Sequence, residues 1–137
     1  MAVVNFVEQV KAIGIPLDQL IVIGSGVLAV HGIRKARDID LVVTSEVFDR
    51  LERDSSWVQG KQGSASYALV KEDIEVWTDL STDASGHPDY DDLSPYTETI
   101  DGVRFVTLDY VERRKAERRS IKDMQDIKEI HEYRKSR

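Results

Sequence analysis

Two short apolar runs, separated by a glycine-containing turn, limit the folds open to this chain. Leu20–Ile23 is wholly apolar, and Ile39–Val43 is rich in β-branched residues. Runs of four or five such residues fit buried strands better than helices. Gly24-Ser25-Gly26 follows the first run, and a short helix is expected to end at Gly32. The segment therefore predicts strand, turn, short helix and strand.

The remaining patterns predict helices and further strands on both sides of this segment. Apolar spacing predicts a first helix over 3–13, and Ser45 is a suitable N-cap for a helix over 46–53. Asp101-Gly102 supplies the positive φ of a tight hairpin turn. The other expected elements are an extended region over 57–80 with turns at Gly60 and Gly63, strands over 67–70 and 74–77, a loop over 81–95, hairpin strands over 97–100 and 103–108, and helices over 109–118 and 120–134. This order predicts an α/β (α+β) fold with a mixed sheet flanked by helices.

Composition excludes several classes of protein. The chain has 137 residues, suited to a single domain over 1–137, and its lack of cysteine excludes disulfides and thiolate metal sites. No apolar run approaches the length of a membrane span and no signal peptide is visible, so a cytoplasmic location without membrane association is expected. The formal charge is −6, but residues 113–137 are rich in Lys and Arg. That basic region is either a solvated helix face or a surface that meets phosphates.

Two groups of residues in this segment are suited to phosphate and metal chemistry. Small residues at Gly24-Ser25-Gly26 let backbone amides approach a phosphate. Asp38 and Asp40 open the next strand, where alternation of side chains predicts that both project from one face. Paired carboxylates suit Mg²⁺ or Mn²⁺, although Asp38 and Asp40 could instead pair with Arg34 and Arg37.

These residues resemble the signature of a known enzyme family. A strand, Gly24-Ser25, a short helix and an Asp-x-Asp pair beginning thirteen residues after Ser25 are similar to the minimal nucleotidyltransferases of the DNA polymerase β superfamily. That group includes AbiEii-like toxins of toxin–antitoxin systems and antibiotic-modifying adenylyltransferases. Glu75, between Ile74 and Val76, resembles the third carboxylate of that family, and the stretch 119–127 resembles its C-terminal helix start.

The resemblance implies a polymerase β-like fold and transfer of a nucleoside monophosphate from an NTP to a hydroxyl, with release of pyrophosphate. The acceptor could be a small molecule, a protein or an RNA end. Asp126 is expected to orient Lys122 toward a phosphate. The implied catalytic and metal-binding residues are Asp38, Asp40 and Glu75, with Asp73 as an alternative third carboxylate, and the implied nucleotide-binding residues are Gly24, Ser25, Arg34, Arg37 and Lys122.

Other interpretations stay open at this point. Gly24-x-Gly26-x-x-Ala29 also matches a dinucleotide-binding fingerprint, although the helix that follows is short for that fold. The fold could also serve as a non-catalytic module that binds a partner, as an antitoxin-like protein would. A second protomer or a partner protein could hold the acceptor. His31 is expected to pack rather than to catalyse.

Overall fold

The computed structural model describes residues 2–36, 38–62, 67–80 and 88–136, and in these ranges the chain is a mixed α/β protein. The coarse fold class expected from the sequence is confirmed. The helices and strands are α1 Ala2–Ala12, β1 Leu20–Ile23, α2 Ser25–Val30, β2 Ile39–Val43, α3 Ser45–Glu52, β3 Val58–Gln62, β4 Tyr67–Lys71, β5 Ile74–Trp77, α4 Tyr90–Leu93, β6 Thr97–Ile100, β7 Val103–Val106, α5 Leu108–Arg118 and α6 Ile121–Lys135.

The seven strands in the described part of the chain form one open sheet in the order β3-β4-β5-β2-β1-β7-β6. β1 pairs antiparallel with β2 and parallel with β7, while β2 pairs parallel with β5, so the sheet is mixed as expected. Every residue of β1 is buried. Because successive side chains of a strand point to opposite faces, both faces of the sheet are covered at its centre.

The antiparallel pairing of β1 and β2 excludes the dinucleotide-binding interpretation. A dinucleotide fold requires parallel strands joined by a crossover helix, whereas α2 has six residues. Gly26 instead serves packing, because a Cβ there would lie 2.4 Å from Phe6 Cζ and 2.8 Å from Val22 Cγ1. The glycine therefore lets α1, β1 and α2 approach one another closely.

The predicted hairpin is confirmed, and three local predictions are corrected. Asp101 and Gly102 have φ values of 50° and 85°, as a tight turn between β6 and β7 requires. Thr44, rather than Ser45, caps α3, and its hydroxyl accepts a hydrogen bond from Val47 N at 3.3 Å. Gly60 lies within β3, while Gly63 is outside the described residues. Of the segment expected to be a loop over 81–95, residues 81–87 lie outside the described residues, and the rest contains α4, followed by a 3₁₀ turn over Ser94–Tyr96.

The chain continues after the sheet into two packed helices. Thr107 caps α5, Arg119 turns the chain in the left-handed region, and Ser120 and Asp123 form a capping box at the start of α6. α5 packs against α6 and also contacts α2. Within the ranges given above, no helix is both long enough and apolar enough to cross a membrane.

Candidate active site

Two carboxylates lie side by side where the central strands meet. Asp40 in β2 and Glu75 in β5 are register partners in a parallel pair, so their Cα atoms are about 4.8 Å apart. Both residues are half-buried and both line a cavity of about 190 Å³. The pairing of β2 with β5 therefore places two acidic groups in one enclosed space.

Gly24 fixes the position of the first carboxylate. β1 ends beside the start of β2, with Ile23 paired to Asp40. Gly24 follows in a conformation with φ 69° and ψ −144°, which non-glycine residues avoid. A Cβ at this position would lie 2.9 Å from Asp40 Oδ2. The absence of a side chain at Gly24 thus makes the space that the Asp40 carboxylate occupies.

Three cationic residues of α5 also line the cavity. They are Arg114, Lys115 and Arg118. Arg114 and Arg118 are one helical turn apart and so share a face with each other. The cavity thus has acidic groups on the strands and basic groups on the helix.

Lys115 is a buried cation held by two buried carboxylates. Its Nζ lies 2.9 Å from Asp126 Oδ2 and 3.6 Å from Asp123 Oδ1, and its side chain is 8% exposed. Asp126 also accepts a hydrogen bond from Arg34 at 3.1 Å, and Asp123 accepts one from Arg118 at 2.9 Å. We call these five side chains the ion network. Arg34 lies in the connection that leads into β2, and Asp126 lies in α6. The ion network therefore joins that connection to the last helix.

The surroundings of Asp123 favour its charged form. Burial by itself raises the pKa of this carboxyl, but hydrogen bonds from Ser120 and the charges of Arg118 and Lys115 outweigh burial and lower it. Asp123 therefore stays ionised at neutral pH and helps to compensate the buried charge of Lys115.

The rest of the cavity is apolar and aromatic. Ile23, Trp77, Leu80 and Val106 line it together with Tyr110. Burial raises the pKa of the Tyr110 phenol above its ordinary value, although the nearby charges of Arg114 and Arg113 oppose the change. The phenol is therefore neutral at physiological pH. Trp77 both packs against the core and lines the cavity.

The other predicted metal ligands lie outside this cavity lining. β2 begins at Ile39, so Asp38 precedes the strand and is exposed. Asp73 is also exposed, in the turn before β5. In the described ranges no three His, Cys, Asp or Glu side chains form a ready-made metal cluster. The structure brings Asp40 and Glu75 together, and the role of Asp38 stays a prediction.

The predicted nucleotide-binding residues are dispersed. Gly24 lines the cavity, and Ser25 is the half-buried first residue of α2. Arg34 is bonded to Asp126 instead of lining the cavity, and its Nε has no hydrogen-bond partner among the described residues. Arg37 lies outside the described residues. Lys122 is exposed on the first turn of α6, away from the cavity lining.

The expected pairing of Asp126 with Lys122 is wrong, because Asp126 is buried and bonds Lys115 and Arg34. Their spacing of one helical turn made that pairing plausible, but Asp126 faces α5. The cations of α5 that line the cavity were not predicted from the sequence. A signal existed, since Lys115 follows Leu108 and Val111 at the spacing of the buried helix face. A lysine at such a position requires a buried carboxylate partner.

His31 packs as expected. Its ring meets the edge of Tyr133 with centroids 5.9 Å apart, and it is absent from the cavity lining. Its Nε2 lies 3.7 Å from Glu98 Oε2, beyond hydrogen-bonding distance. Nothing in this arrangement gives the imidazole access to Asp40 or Glu75.

Chemically, the cavity can bind a ligand that carries both positive and negative charge. Carboxylates attract a divalent cation, while ammonium and guanidinium groups attract phosphate or carboxylate oxygens. Searches against models of protein families, curated proteins and solved structures return no match for this chain.

Proposed function

We propose that this chain is a metal-dependent nucleotidyltransferase, which transfers a nucleoside monophosphate from an NTP to a hydroxyl acceptor and releases pyrophosphate. The observation that carries the proposal is the cavity that Asp40 and Glu75 line together with Arg114, Lys115 and Arg118. A metal–triphosphate complex has charges that complement both the acidic and the basic residues. The order of strand, Gly24-Ser25, short helix and strand supports the polymerase β-like fold implied by the resemblance.

The residues present fit a divalent metal ion. Asp40 and Glu75 offer hard oxygen donors on adjacent strands, and the glycine at position 24 leaves room for the Asp40 carboxylate. Mg²⁺ is commonly held by one or two protein carboxylates together with substrate phosphates, so Asp40 alone would suffice and would leave Glu75 free for proton transfer. When bound, Mg²⁺ or Mn²⁺ would neutralise charge on the phosphates.

The residues of the chain have separate roles in this proposal. Asp40 holds the metal and Glu75 accepts the proton of the acceptor hydroxyl. Lys115 takes the phosphate-binding role that the resemblance implied for Lys122, because Lys115 lines the cavity and its ammonium is fixed by the ion network. Arg114 and Arg118 offset the charge that develops on the leaving pyrophosphate.

The size of the cavity indicates which part of an NTP it holds. Ligand sites for drug-sized molecules typically exceed about 300 Å³. The cavity measures about 190 Å³, and its lining includes Asp40, Glu75 and the three cations of α5. We therefore expect it to hold the phosphates rather than a whole NTP, with the base against Trp77 and Leu80.

Titration calorimetry with Mg-ATP and the other Mg-NTPs tests the proposal. Asp40→Asn should abolish metal-dependent binding, and Lys115→Met should weaken it by roughly ten- to a hundredfold, as expected for a lost contact to phosphate. Asp73→Asn is the matched control, since it removes the same charge from an exposed residue outside the cavity lining.

Transfer is measured with labelled NTPs and cell lysate. Glu75→Gln should lower kcat with little effect on KM, because a general base acts in the transition state. If Asp40→Asn and Asp73→Asn bind Mg-NTP equally well, the assignment of the site is wrong. Binding that depends on Asp40 without transfer to any acceptor would favour the non-catalytic module.

A further inference from the structure

Basic charge is concentrated in the stretch of the chain that contains the cationic lining of the cavity. Residues 113–122 contain six Lys or Arg residues and one Glu, although the whole chain has a net charge of −6. They span the second half of α5, the connection and the first turn of α6. Arg118 lines the cavity and is also 60% exposed, so the cationic surface continues from the cavity into solvent.

An exposed aromatic residue lies beside Arg113, the first of these cations. Tyr96 is 47% exposed, and its ring centroid is 5.4 Å from that of Tyr110, which lines the cavity. The guanidinium of Arg113 lies 5.6 Å from the Tyr96 ring and 5.4 Å from the Tyr110 ring. Tyrosine rings and arginine planes are the groups on which unstacked bases of a single strand pack.

The cations inside the cavity are sufficient for a triphosphate, and those outside it require another explanation. Arg113, Arg119 and Lys122 are all exposed, and none of them lines the cavity. A small neutral acceptor needs no such array, and a simple anion needs no aromatic ring. Proteins that bind single-stranded nucleic acid combine cations along the phosphate backbone with aromatic rings on which the bases stack.

We infer that Tyr96, Arg113, Arg119 and Lys122 form a surface that binds single-stranded nucleic acid, here named the basic lip, and that the 3′ hydroxyl of this strand is the acceptor. The second part rests on the proposed function. The 3′ oxygen forms a bond to the α-phosphorus of the NTP, and the bond from that phosphorus to the bridging oxygen breaks. Pyrophosphate leaves, and the hydroxyl proton passes to Glu75.

The surface is tested by fluorescence anisotropy with an end-labelled RNA of about twelve nucleotides, within the usual site sizes. The combined Arg113→Glu/Arg119→Glu/Lys122→Glu variant should lose at least about tenfold in affinity, and the dependence of log K on log salt should become shallower by about 2. The matched control, Lys11→Glu/Arg53→Glu/Lys135→Glu, makes the same change in charge at exposed positions on other parts of the chain and should bind like the parent.

Tyr96→Ala separates stacking from charge. It should weaken binding by roughly tenfold, as loss of one base stack does, while the salt slope stays unchanged. Equal affinities of the two charge-reversal variants would overturn the basic lip. Since this assay contains neither NTP nor metal, its failure leaves nucleotidyl transfer untouched, and failure of Mg-NTP binding leaves the RNA surface untouched.

The acceptor is tested with the same RNA ending in a 3′ hydroxyl or a 3′ deoxy group, incubated with each labelled Mg-NTP. We expect labelled nucleotide to be incorporated only into the RNA that ends in a 3′ hydroxyl. The charge-reversal variant of the basic lip should lose this incorporation. Label that enters protein or small molecules of a lysate but not RNA would overturn the acceptor assignment.

Discussion

Asp126→Asn removes the negative charge that holds two cations in the ion network. Lys115 would keep only Asp123, 3.6 Å away, and Arg34 would lose its ion pair. Asp126 is 2% exposed, so water cannot replace it. Breaking a buried ion pair costs about 3–5 kcal/mol. Because Asp123 still compensates Lys115 in part, we expect Asp126→Asn to lower the free energy of unfolding by about 3 kcal/mol.

Two comparison variants isolate the cause of this loss. Lys115→Met leaves Asp126 bonded to Arg34 and Asp123 bonded to Arg118, and its unbranched side chain fills the same space. We expect it to cost only about 1 kcal/mol, since no carboxylate is left without a cation. Arg118→Gln breaks a pair whose arginine is 60% exposed, and should cost under about 1 kcal/mol.

Urea unfolding followed by circular dichroism measures these differences. With a slope near 2 kcal/mol per molar urea, Asp126→Asn should lower the midpoint by about 1.5 M. Lys115→Met should change the urea midpoint only slightly but should lose much of its affinity for Mg-NTP. A midpoint for Asp126→Asn within error of that for Arg118→Gln would refute the reasoning about the buried pair.

Three more outcomes are expected. Gly24→Ala should lose Mg-NTP binding, because its Cβ would contact the Asp40 carboxylate. Gly32→Ala is the control, since Gly32 also has a positive φ (75°) but has open space around it, and this variant should keep binding. Equal loss of binding in both variants would show that backbone strain, and not the contact with Asp40, causes the effect. Folding lowers the pKa of Asp123, so its contribution to stability is complete above its ordinary pKa of 3.8 and is lost as pH falls through the folded pKa. Asp123→Asn should therefore make the urea midpoint depend less on pH on the acid side. Because the pKa of Tyr110 is raised above 10.0, its contribution to stability is complete below that value and is lost as pH rises through the folded pKa. Tyr110→Phe should remove a step above pH 10.0 from a tyrosinate absorbance titration, and an unchanged curve would contradict this.

The local elements could be predicted because their signals are contained in a few neighbouring residues. The bounds of β1 and β2 agree with the apolar runs Leu20–Ile23 and Ile39–Val43, and the Asp101-Gly102 turn determined the hairpin. Cap identity was missed at Thr44, where two adjacent hydroxyl residues compete for one position.

The site was predicted less completely because it depends on contacts between distant segments. Asp40 and Glu75 were singled out by composition and resemblance, but their register became visible only from the pairing of β2 with β5. Lys115 was grouped with the basic region, since charge alone does not distinguish a buried ammonium from a solvated one. Its helical spacing after Val111, read together with Asp126, would have indicated burial.

The pairing of Arg34 with Asp126 also affects the kinetics of folding. The two residues are 92 positions apart, and bringing the ends of such a segment together costs an open chain about 4 kcal/mol in entropy. Contacts of this separation form after local helices and hairpins, so we expect the pair to be absent from the folding transition state. Loss of Asp126 should then increase the unfolding rate and hardly change the folding rate. The pair therefore determines how long the assembled cavity persists, rather than how quickly it forms.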